Sequence, residues 1–285
     1  MTEAEYQSLP PLRSLEELFS LRGKVGLITG AAGGMGREFA RTFAQAGARL
    51  ALADLSLDRC QQVVDSLPPS AEGHFAAVAD LSRKDSAFAL VDEIESKFGR
   101  LDFIVHNVMA KPSNYYRDFS HYEEDTWNKV FAGNVNGAFF LAQRASSLLA
   151  RSGGGSIVFT ASIYGVVAPD QRIYEGLSAQ SNPYGGEFRL NAPAAYSASK
   201  GALVSLAKHL ASQLAPAGTR VNVLTPGGVY DRQDPAFHRA YVDRVPLGRM
   251  GTWTDYNGAA LFLVSNASRY MTGANLIVDG GWTAW

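Results

Sequence analysis

The sequence predicts an α/β fold in which a doubly wound sheet of seven parallel strands is covered by helices on both faces. Short apolar segments alternate with longer helical patterns along nearly the whole chain, which is the order that βαβ units require. The segments are mainly apolar at consecutive positions, which suits a sheet covered on both faces. Several helical patterns end at Gly or Pro, where helices usually stop. Right-handed crossovers join such strands into one sheet.

The individual elements follow from this alternation. The strands are expected at Lys24–Thr29, Arg49–Ala53, His74–Val78, Leu101–His106, Ser156–Ala161, Arg220–Leu224 and Leu276–Val278. The helices are expected at Met35–Ala46, Asp58–Leu67, Lys84–Phe98, Thr126–Arg151, Ala195–Leu214 and Asp255–Val264. One long irregular stretch, residues 166–194, remains, and such a stretch in a compact domain is usually functional or mobile.

The length favours one domain. The chain has 285 residues, of which 46% are apolar, and this is enough for a large core. The length is near twice the usual domain size, but α/β sheets often reach it as a single unit. We therefore expect one domain over residues 24–285, preceded by an accessory arm over residues 1–23. In the arm, Ser14 followed by Glu17 suits the capping box of a short helix.

Charge and composition exclude several classes of protein. The 26 basic and 27 acidic residues give a net charge of −1, so no basic surface for nucleic acid or anionic lipid is expected. No apolar run approaches a bilayer span, and the acidic N-terminal segment does not resemble a secretory signal, which makes the cytoplasm the expected location. The single Cys60 excludes an internal disulfide, and the five histidines lack paired ligand spacing, so no metal site is expected.

A glycine-rich turn follows the first predicted strand. The segment contains Thr29, Gly30, Ala31, Ala32, Gly33, Gly34, Met35 and Gly36, after which a helix begins. A pyrophosphate on a helix N-terminus needs exposed backbone N–H groups, and side chains there would hold it away. The spacing differs from GxGxxG, so a purely structural turn is the alternative.

Asp54 favours a dinucleotide at this turn. It ends the second strand about 20 residues further on, where a carboxylate can accept hydrogen bonds from an adenosine ribose diol. A 2′-phosphate there would meet a like charge, and neither Leu55 nor Gly33 supplies a compensating cation. The sequence therefore favours NAD over NADP, with an ordinary surface aspartate at a strand end as the alternative.

Tyr196 and Lys200 form a candidate catalytic pair. They are four residues apart at the start of a strongly helical segment, so both side chains project from one face. A free tyrosine with a pKa of about 10 is a poor base at neutral pH, but a nearby ammonium favours the phenolate. Tyr196 is therefore a candidate general base. The alternative is an ordinary pair on a helix surface.

Two further polar residues join the candidate set. Ser162 ends the segment GSIVFTAS at the carboxyl edge, where open α/β sheets bind ligands, and its hydroxyl can hold a substrate oxygen. Asn134 lies in the helical stretch FAGNVNGAFF, where asparagine is a poor helix former and must find partners if buried. Taken alone, Ser162 would more often cap a strand end, and Asn134 would be a satisfied core amide.

Together these motifs resemble the short-chain dehydrogenase/reductase family, from about Gly23 to the C-terminus. The motifs are TGAAGGMG from Thr29, Asp54, Asp80 with Leu81, NVNG with Asn134, Ser162, YSASK with Tyr196, PGG from Pro226 and VDGG from Val278. The resemblance implies a single Rossmann domain, a nicotinamide cofactor and a homotetramer or homodimer.

The resemblance also implies roles for these residues. Tyr196 would be the acid/base, and Lys200 would bind the nicotinamide ribose and tune Tyr196. Ser162 would bond the substrate oxygen, and Asn134 would hold a water that links Lys200 to solvent. Asp80 and Leu81 would line the adenine pocket, Asn107 would border the cofactor, and Val229 would touch the nicotinamide amide. The implied cofactor-binding set is Gly30, Gly34, Met35, Gly36, Asp54, Asp80, Leu81, Asn107, Tyr196, Lys200, Pro226, Gly227 and Val229.

The chain departs from the family pattern at three places. Where the family has NNAG after its fourth strand, this chain has His106, Asn107, Val108 and Met109. We interpret His106 as a packed strand residue. Tyr230 and Asp231 occupy the region where the family often places a threonine that bonds the carboxamide. The third departure is the 34-residue separation between Ser162 and Tyr196, which is much longer than the family's usual spacing.

That separation predicts an active-site insertion. Because both ends are fixed by catalytic residues, residues 166–194 are expected to form a loop at the mouth of the site that shapes the substrate pocket. Residues at about 231–245 would form a mobile substrate lid. Tyr174 lies close to the usual spacing from Ser162, but Ser178 follows it where Lys200 follows Tyr196. We therefore assign the base to Tyr196.

We expect a reversible, NAD-linked hydride transfer between a secondary alcohol and the corresponding carbonyl or lactone. The polar insertion, its IYEG segment and the ending VDGGWTAW favour a sugar, polyol or related hydroxy compound. One alternative is an NAD(P)H-dependent ketone or 3-oxoacyl reductase on the same scaffold. The other is a catalytically silent NAD-binding protein. The expected partner is a small molecule, with neither nucleic acid nor membrane.

Overall fold

The core of the protein is one sheet of seven parallel strands. The computed structural model describes residues 14–70, 73–184 and 186–285. The strands are β1 (Val25–Thr29), β2 (Arg49–Asp54), β3 (Phe75–Val78), β4 (Phe103–His106), β5 (Gly155–Thr160), β6 (Thr219–Pro226) and β7 (Asn275–Val278). They lie in the order β3-β2-β1-β4-β5-β6-β7, and every neighbouring pair is parallel. The predicted doubly wound sheet is confirmed, and its strand order reverses between β1 and β4.

Helices cover the sheet on both sides. They are α1 (Leu15–Phe19), α2 (Gly34–Gln45), α3 (Leu57–Asp65), α4 (Lys84–Phe98), α5 (Glu124–Phe131), α6 (Gly137–Arg151), α7 (Ala194–Leu214), α8 (Pro235–Val242) and α9 (Asn257–Val264). Short α8 was not predicted from the sequence. Within the described part of the chain, no helix combines the length and apolar content needed to cross a membrane.

Successive strand residues fill the cores on opposite faces. Leu27 packs into one apolar cluster with Leu203 of α7, whereas its neighbour Ile28 packs into the other with Phe39 of α2 and Leu263 of α9. This is the alternation expected of a strand that is buried on both sides. Because both faces are closed by helices, the edge formed by the strand ends is where a ligand can approach.

The predicted helix Thr126–Arg151 is divided in the structure. α5 ends at Phe131, α6 begins at Gly137, and Ala132–Asn136 forms a wider π-helical turn between them. Such turns are rare and often occur at functional sites. The sequence therefore predicted one continuous helix, whereas the structure has two helices joined by this turn.

The described part of the predicted N-terminal arm contains the expected capping box. Ser14 Oγ accepts a hydrogen bond from the Glu17 N–H, and the Glu17 carboxylate accepts one from the Ser14 N–H. Asn266 donates to the Glu17 carbonyl, and Leu21 is buried, which fixes the segment beside the end of α9. Residues 1–13 of the arm lie outside the described residues.

Candidate active site

A cleft of about 1070 Å³ lies along the carboxyl edge of the sheet, across the point where the strand order reverses. Open α/β sheets bind their ligands in this crevice. The sequence-predicted residues that line it are Gly30, Gly34, Met35, Asp54, Asp80, Leu81, Asn107, Ser162, Tyr196, Lys200, Pro226, Gly227 and Val229. Two predicted residues, Gly36 and Asn134, are not among the lining residues and lie behind the surface of the cleft.

The glycine turn at one end of the cleft fits a pyrophosphate. The N-cap of α2 is Gly33, which makes no side-chain cap, so the first N–H groups of the helix are open to an anion. Gly30 has a φ of 64°, and a Cβ there would lie 2.4 Å from the Asn107 carbonyl oxygen. A Cβ at Gly36 would lie 2.3 Å from the Gly30 carbonyl oxygen. Side chains at these positions would force the turn apart, which explains the glycines.

Asp54 lies at the end of β2, facing the same part of the cleft. Its Oδ2 accepts a hydrogen bond from the Ala32 N–H at 3.1 Å, and its Oδ1 accepts one from the Leu55 N–H at 2.8 Å. An ionised carboxylate has about four lone-pair sites, so acceptor capacity remains for ribose hydroxyls. Arg59 also lines this end and donates through Nη2 to the Ala32 carbonyl at 3.1 Å. From the sequence, only Leu55 and Gly33 were considered as sources of a cation, and the structure adds Arg59, which reaches the turn from α3.

The segment after β3 forms the adjoining wall. The Asp80 carboxylate accepts hydrogen bonds from the N–H and the hydroxyl of Ser82, at 3.0 and 2.7 Å. Leu81 is buried beside it and still borders the cleft. A rigid acidic turn with an apolar neighbour is suited to an adenine ring, which presents polar edges and an apolar face.

Ser162, Tyr196 and Lys200 meet at the other end of the cleft. Ser162 follows β5, and its side chain is hydrogen-bonded to the Tyr196 phenol. Lys200 is one turn beyond Tyr196 in α7, and its Nζ lies 5.9 Å from the centre of the tyrosine ring. The buried ammonium donates to the carbonyl oxygens of Thr160 at 2.8 Å and Val108 at 3.2 Å. Two segments distant in sequence, the end of β5 and the start of α7, thus bring a hydroxyl, a phenol and an amine together.

Burial determines the direction of the pKa shifts of Tyr196 and Lys200. It raises the pKa of Tyr196 above the ordinary value, and the hydrogen bond from Ser162 opposes the shift. Burial also lowers the pKa of Lys200 to about 7. From the sequence, the Lys200 ammonium was expected to lower the Tyr196 pKa, but burial determines the direction here. The phenol therefore holds its proton at neutral pH beside an amine that exchanges one, which suits acid/base chemistry.

Asn134 and His106 support the site from behind. In the π-helical turn, Asn134 Oδ1 accepts a hydrogen bond from the Ala110 N–H at 2.8 Å, and its Nδ2 donates to Ser199 Oγ at 3.0 Å. The His106 ring connects Thr29 Oγ1, at 3.2 Å, with the Asn134 carbonyl oxygen, at 3.1 Å. Both side chains are fully buried. His106 is thus a packed strand residue that ties β1 and β4 to the turn behind Lys200.

Replacing His106 with leucine is expected to destabilise the fold by about 2 kcal/mol or more, because two buried polar groups lose their partner. Burial, aided by the Lys200 charge, lowers the His106 pKa to about 3, whereas an unfolded histidine titrates near 6.5. Acidification below 6.5 therefore protonates the unfolded chain first and favours unfolding. Urea denaturation at several pH values measures both effects. The exposed His209→Leu variant is the control, and equal stability of the two variants would contradict this role.

The insertion over residues 166–194 is folded against the predicted lid. Ile173, Leu177 and Leu190 share one apolar cluster with Phe237 and Tyr241 of α8. Residues 171–174 and 179–181 of the insertion form single helical turns. The two segments therefore pack as one cover on the cleft, rather than as separate loops.

A charged contact joins the same two segments. The Asp170 carboxylate accepts hydrogen bonds from Arg172, within the insertion, and from Arg244 Nε at 2.7 Å, beyond α8. These guanidinium groups hold the pKa of Asp170 well below its usual range. Because this contact joins them, the insertion and the segment after α8 are expected to move together if the cover moves.

Tyr174, the alternative base, also lines the cleft. Its hydroxyl lies 3.3 Å from the Tyr164 hydroxyl, and its ring packs on Phe237. Burial raises its pKa far above the ordinary value, and the Tyr164 hydrogen bond opposes that shift. Among the described residues, the hydroxyl of Tyr174 has the Tyr164 phenol as its partner, whereas Tyr196 has the Lys200 amine nearby in α7.

The nicotinamide end of the cleft was predicted only in part. Gly228 donates its N–H to the Tyr241 hydroxyl at 2.6 Å, and Gln233 donates to the Val229 carbonyl at 2.8 Å. These bonds tie the turn after β6 to α8. Tyr230 is half exposed, and neither it nor Asp231 lines the cleft. Side chains from the lid therefore order this turn, where the family motif suggested a threonine.

Several lining residues were missed from the sequence. Trp253 lies against the glycine turn, because a Cβ at Gly34 would meet its ring at 2.6 Å. Lys111 and Tyr184 line the cleft from the segment after β4 and from the insertion. None of them belongs to a motif of regular spacing. Only the spatial approach of separate loops brings them to the site.

The sheet, the glycine turn at a helix N-terminus and the serine, tyrosine and lysine at the carboxyl edge define a Rossmann-type, nicotinamide-binding oxidoreductase. Residues 24–174 match the family model described as short chain dehydrogenase, and residues 182–283 match one described as enoyl-(acyl carrier protein) reductase. The chain therefore belongs to the short-chain dehydrogenase/reductase family.

Curated relatives are similar along nearly their whole length. A sorbose reductase from Candida albicans is 32% identical over 94% of this chain and 89% of the relative. A 2-dehydro-3-deoxy-D-gluconate 5-dehydrogenase from Pseudoalteromonas atlantica is 32% identical over 93% of this chain and 98% of the relative. A galactitol 2-dehydrogenase from Cereibacter sphaeroides is 32% identical over 94% of this chain and 98% of the relative.

Solved structures agree with the fold. A gluconate 5-dehydrogenase from Burkholderia cenocepacia, in complex with NADP and tartrate, superposes with a TM-score of 0.81 at 27% identity, covering 95% of this chain and 100% of that chain. A short chain dehydrogenase from Leptospira borgpetersenii with bound NAD+ superposes with a TM-score of 0.78 at 28% identity, covering 96% of this chain and 98% of that chain. Structural relatives thus bind either nicotinamide dinucleotide.

Proposed function

We propose that the protein oxidises a secondary alcohol of a sugar, polyol or related hydroxy compound with NAD+, and catalyses the reverse reduction. The observation that carries this proposal is the convergence of Ser162, Tyr196 and Lys200 in the cleft whose other end holds the glycine turn. When bound, the nicotinamide supplies or accepts the hydride. The chain supplies alignment, hydrogen bonds and the proton.

In the direction of oxidation, Ser162 and Tyr196 hold the substrate oxygen between their hydroxyl groups. The Tyr196 phenol first releases its own proton, for which the Lys200 amine is a nearby acceptor, and the phenolate then takes the hydroxyl proton as the hydride leaves the carbinol carbon with its electron pair, and a carbonyl forms. Ser162 stabilises the charge that develops on the oxygen. The Lys200 amine, with a pKa near neutrality, lies where it can exchange a proton beside the phenol.

Replacing Ser162 with alanine is expected to lower kcat by about 100-fold, with a much smaller change in KM, since its hydroxyl acts mainly on charge that develops in the transition state. Steady-state kinetics with an alcohol that the wild-type enzyme oxidises measure the changes in kcat and KM. Ser197→Ala is a matched control, because its hydroxyl lies in the same helix as Tyr196 but does not line the cleft. Equal rates for both variants would contradict the assignment to Ser162.

The composition of the cleft wall supports a hydroxylated substrate. Within the described residues, seven tyrosines line the cleft: Tyr115, Tyr116, Tyr164, Tyr174, Tyr184, Tyr196 and Tyr241. Tyrosine offers an apolar ring and a hydroxyl on one side chain, and a polyol presents C–H faces and hydroxyls in the same alternation. The names of the relatives, which include sorbose, galactitol and dehydro-deoxy-gluconate enzymes, agree with such a substrate.

NAD is the proposed cofactor because of Asp54. Its carboxylate faces the adenosine end and would repel a 2′-phosphate while accepting hydrogen bonds from a 2′-hydroxyl. Arg59 at the same end is the observation that favours the rival, an NADPH-dependent ketone or 3-oxoacyl reductase. Since Arg59 is bound to the Ala32 carbonyl and Asp54 projects from β2, we give the carboxylate the greater weight.

A panel of sugars, polyols and hydroxy acids, each supplied with NAD+ or NADP+, tests the proposal. We expect absorbance of reduced cofactor with polyhydroxylated substrates and a higher kcat/KM with NAD+. Faster turnover with NADPH and simple ketones or 3-oxoacyl compounds would favour the rival reductase. Cofactor binding without turnover across the panel would favour a catalytically silent protein.

Assembly and location are part of the same proposal. We propose a homodimer or homotetramer, as the family resemblance implies, in the cytoplasm. Exposed apolar side chains on the outer surface support self-association, among them Trp127 of α5, Phe139 of α6 and Ile277 of edge strand β7. Sedimentation analysis of the purified protein distinguishes a monomer from these assemblies.

A further inference from the structure

The charges that line the cleft are unevenly distributed. Among the described residues, the only carboxylates in its lining are Asp54 and Asp80, and both lie at the ends of β2 and β3. The basic side chains of the lining are Arg59, Lys111, Lys129 and Lys200. The half that holds Tyr196 therefore has cations in its wall and no described carboxylate to balance them.

Among the described cations of this half, Lys111 is the one with neither an ion pair nor a hydrogen bond. Its Nζ lies 3.4 Å from the centre of the Tyr184 ring and 5.9 Å from that of Tyr116, and the side chain is half-buried. No hydrogen bond or ion pair to another described residue uses this ammonium. Lys200, by contrast, donates to two carbonyls, and Lys129 pairs with Asp125 at 2.6 Å. A partly desolvated, unpaired cation costs free energy that a bound anion would offset.

Lys111 lies across a pair of tyrosine rings from the proposed base. Tyr116 stacks on Tyr184, with ring centres 6.2 Å apart, and it packs with Tyr196 in one cluster around Tyr115. The three phenols thus occupy one part of the cleft, with the Lys111 ammonium against two of them. A substrate whose carbinol reaches Tyr196 can extend a second polar group to Lys111.

The ammonium is charged and available at neutral pH. Burial lowers the pKa of Lys111 to about 8, and the negative charge of Asp231 opposes that shift. Asp231 itself does not line the cleft and forms no ion pair with Lys111; its N–H donates to Gln233 Oε1. The Asp231 carboxylate on the lid therefore does not occupy the cleft beside the Lys111 ammonium.

We propose that Lys111 binds the carboxylate of the substrate, so that the enzyme prefers polyhydroxy acids of the aldonate class to neutral polyols. The proposal rests on the proposed function of this cleft and names its substrate class. The carboxylate contacts Lys111 beside Tyr184 and Tyr116, while a carbinol several carbons away contacts Tyr196 and Ser162. Tyr184 comes from the insertion, so the insertion completes the specificity site.

Two probes that differ only at C1 test this: D-gluconate, with a carboxylate, and D-glucitol, with a hydroxymethyl group. We expect kcat/KM with NAD+ to be at least about tenfold higher for D-gluconate, since only D-gluconate can form a charge-assisted hydrogen bond with the Lys111 ammonium. Lys111→Met should lower the D-gluconate value by about tenfold or more, with a change of less than about threefold for D-glucitol.

Lys129→Met is the matched control, because Lys129 also lines the cleft but its ammonium is paired with Asp125. It should leave the ratio of the two kcat/KM values unchanged. A wild-type enzyme that uses D-glucitol as well as D-gluconate would overturn the proposal. So would a Lys111→Met variant that loses both activities by the same factor, as expected if Lys111 only holds the lid through Asp231.

A binding measurement separates this proposal from the proposed function. Calorimetric titration of D-gluconate into the NADH complex should give an affinity about tenfold weaker for Lys111→Met than for the wild type. Equal affinities, or no binding to the wild type, would overturn the Lys111 proposal even if polyols are oxidised. Lys111-dependent binding without turnover would support the Lys111 site and count against the proposed reaction.

Discussion

Replacing Tyr196 with phenylalanine is expected to reduce kcat by about a thousandfold or more, because the variant has no group to take the hydroxyl proton at the carbinol. The change removes one oxygen and leaves the ring, so packing within α7 and against Tyr115 is retained. The rate of NAD+ reduction with the best alcohol from the panel measures the effect. Thermal unfolding of the variant shows whether the fold is intact.

Tyr174→Phe provides the comparison that makes this result specific. Tyr174 lines the same cleft and carries a buried hydroxyl, but its partner is the Tyr164 phenol. We expect this variant to retain kcat within about tenfold, with any change mainly in KM, since the ring belongs to the substrate cover. Loss of turnover in Tyr174→Phe with turnover retained in Tyr196→Phe would reverse the assignment of the base.

Replacing Asp54 with asparagine is expected to reverse the cofactor preference. The uncharged amide no longer repels a 2′-phosphate, and Arg59 at the same end of the cleft offers it a cation. The variant also loses a charged acceptor for the ribose hydroxyl of NAD+. We expect kcat/KM to fall by about tenfold for NAD+ and to rise by about tenfold for NADP+.

The double variant Asp54→Asn with Arg59→Gln tests the source of the gain. If Arg59 supplies the cation, the increase with NADP+ should largely disappear, whereas the loss with NAD+ should remain. A wild-type enzyme that already prefers NADP+ would contradict the proposed cofactor. An Asp54→Asn variant with unchanged preference would show that the adenosine ribose does not lie beside this carboxylate.

Sequence periodicity predicted the sheet because the strands are buried on both faces. Leu27 and Ile28 contribute to opposite cores, so β1 is apolar at consecutive positions and stands out from its polar surroundings. The π-helical turn at Ala132–Asn136 was not predicted, because such turns are rare and the residues on both sides of it are helical.

The candidate site was predictable where chemistry and spacing coincide. Tyr196 and Lys200 lie one helical turn apart, and Ser162 follows the end of β5, so local structure places each of them at the carboxyl edge. Arg59 and Lys111 had no such signal. Each is an ordinary basic residue in the sequence. Arg59 becomes part of the cleft because α3 approaches the glycine turn, and Lys111 does so because the insertion approaches the segment after β4.

A crystal structure of the complex with NAD+ and a turned-over alcohol tests the central claim most directly. We predict that the dinucleotide lies with its pyrophosphate on the glycine turn, and that one carbinol lies within about 3–3.5 Å of both the Tyr196 oxygen and nicotinamide C4. A nicotinamide ring bound away from Tyr196, with the carbinol in contact with another base, would contradict the proposed mechanism.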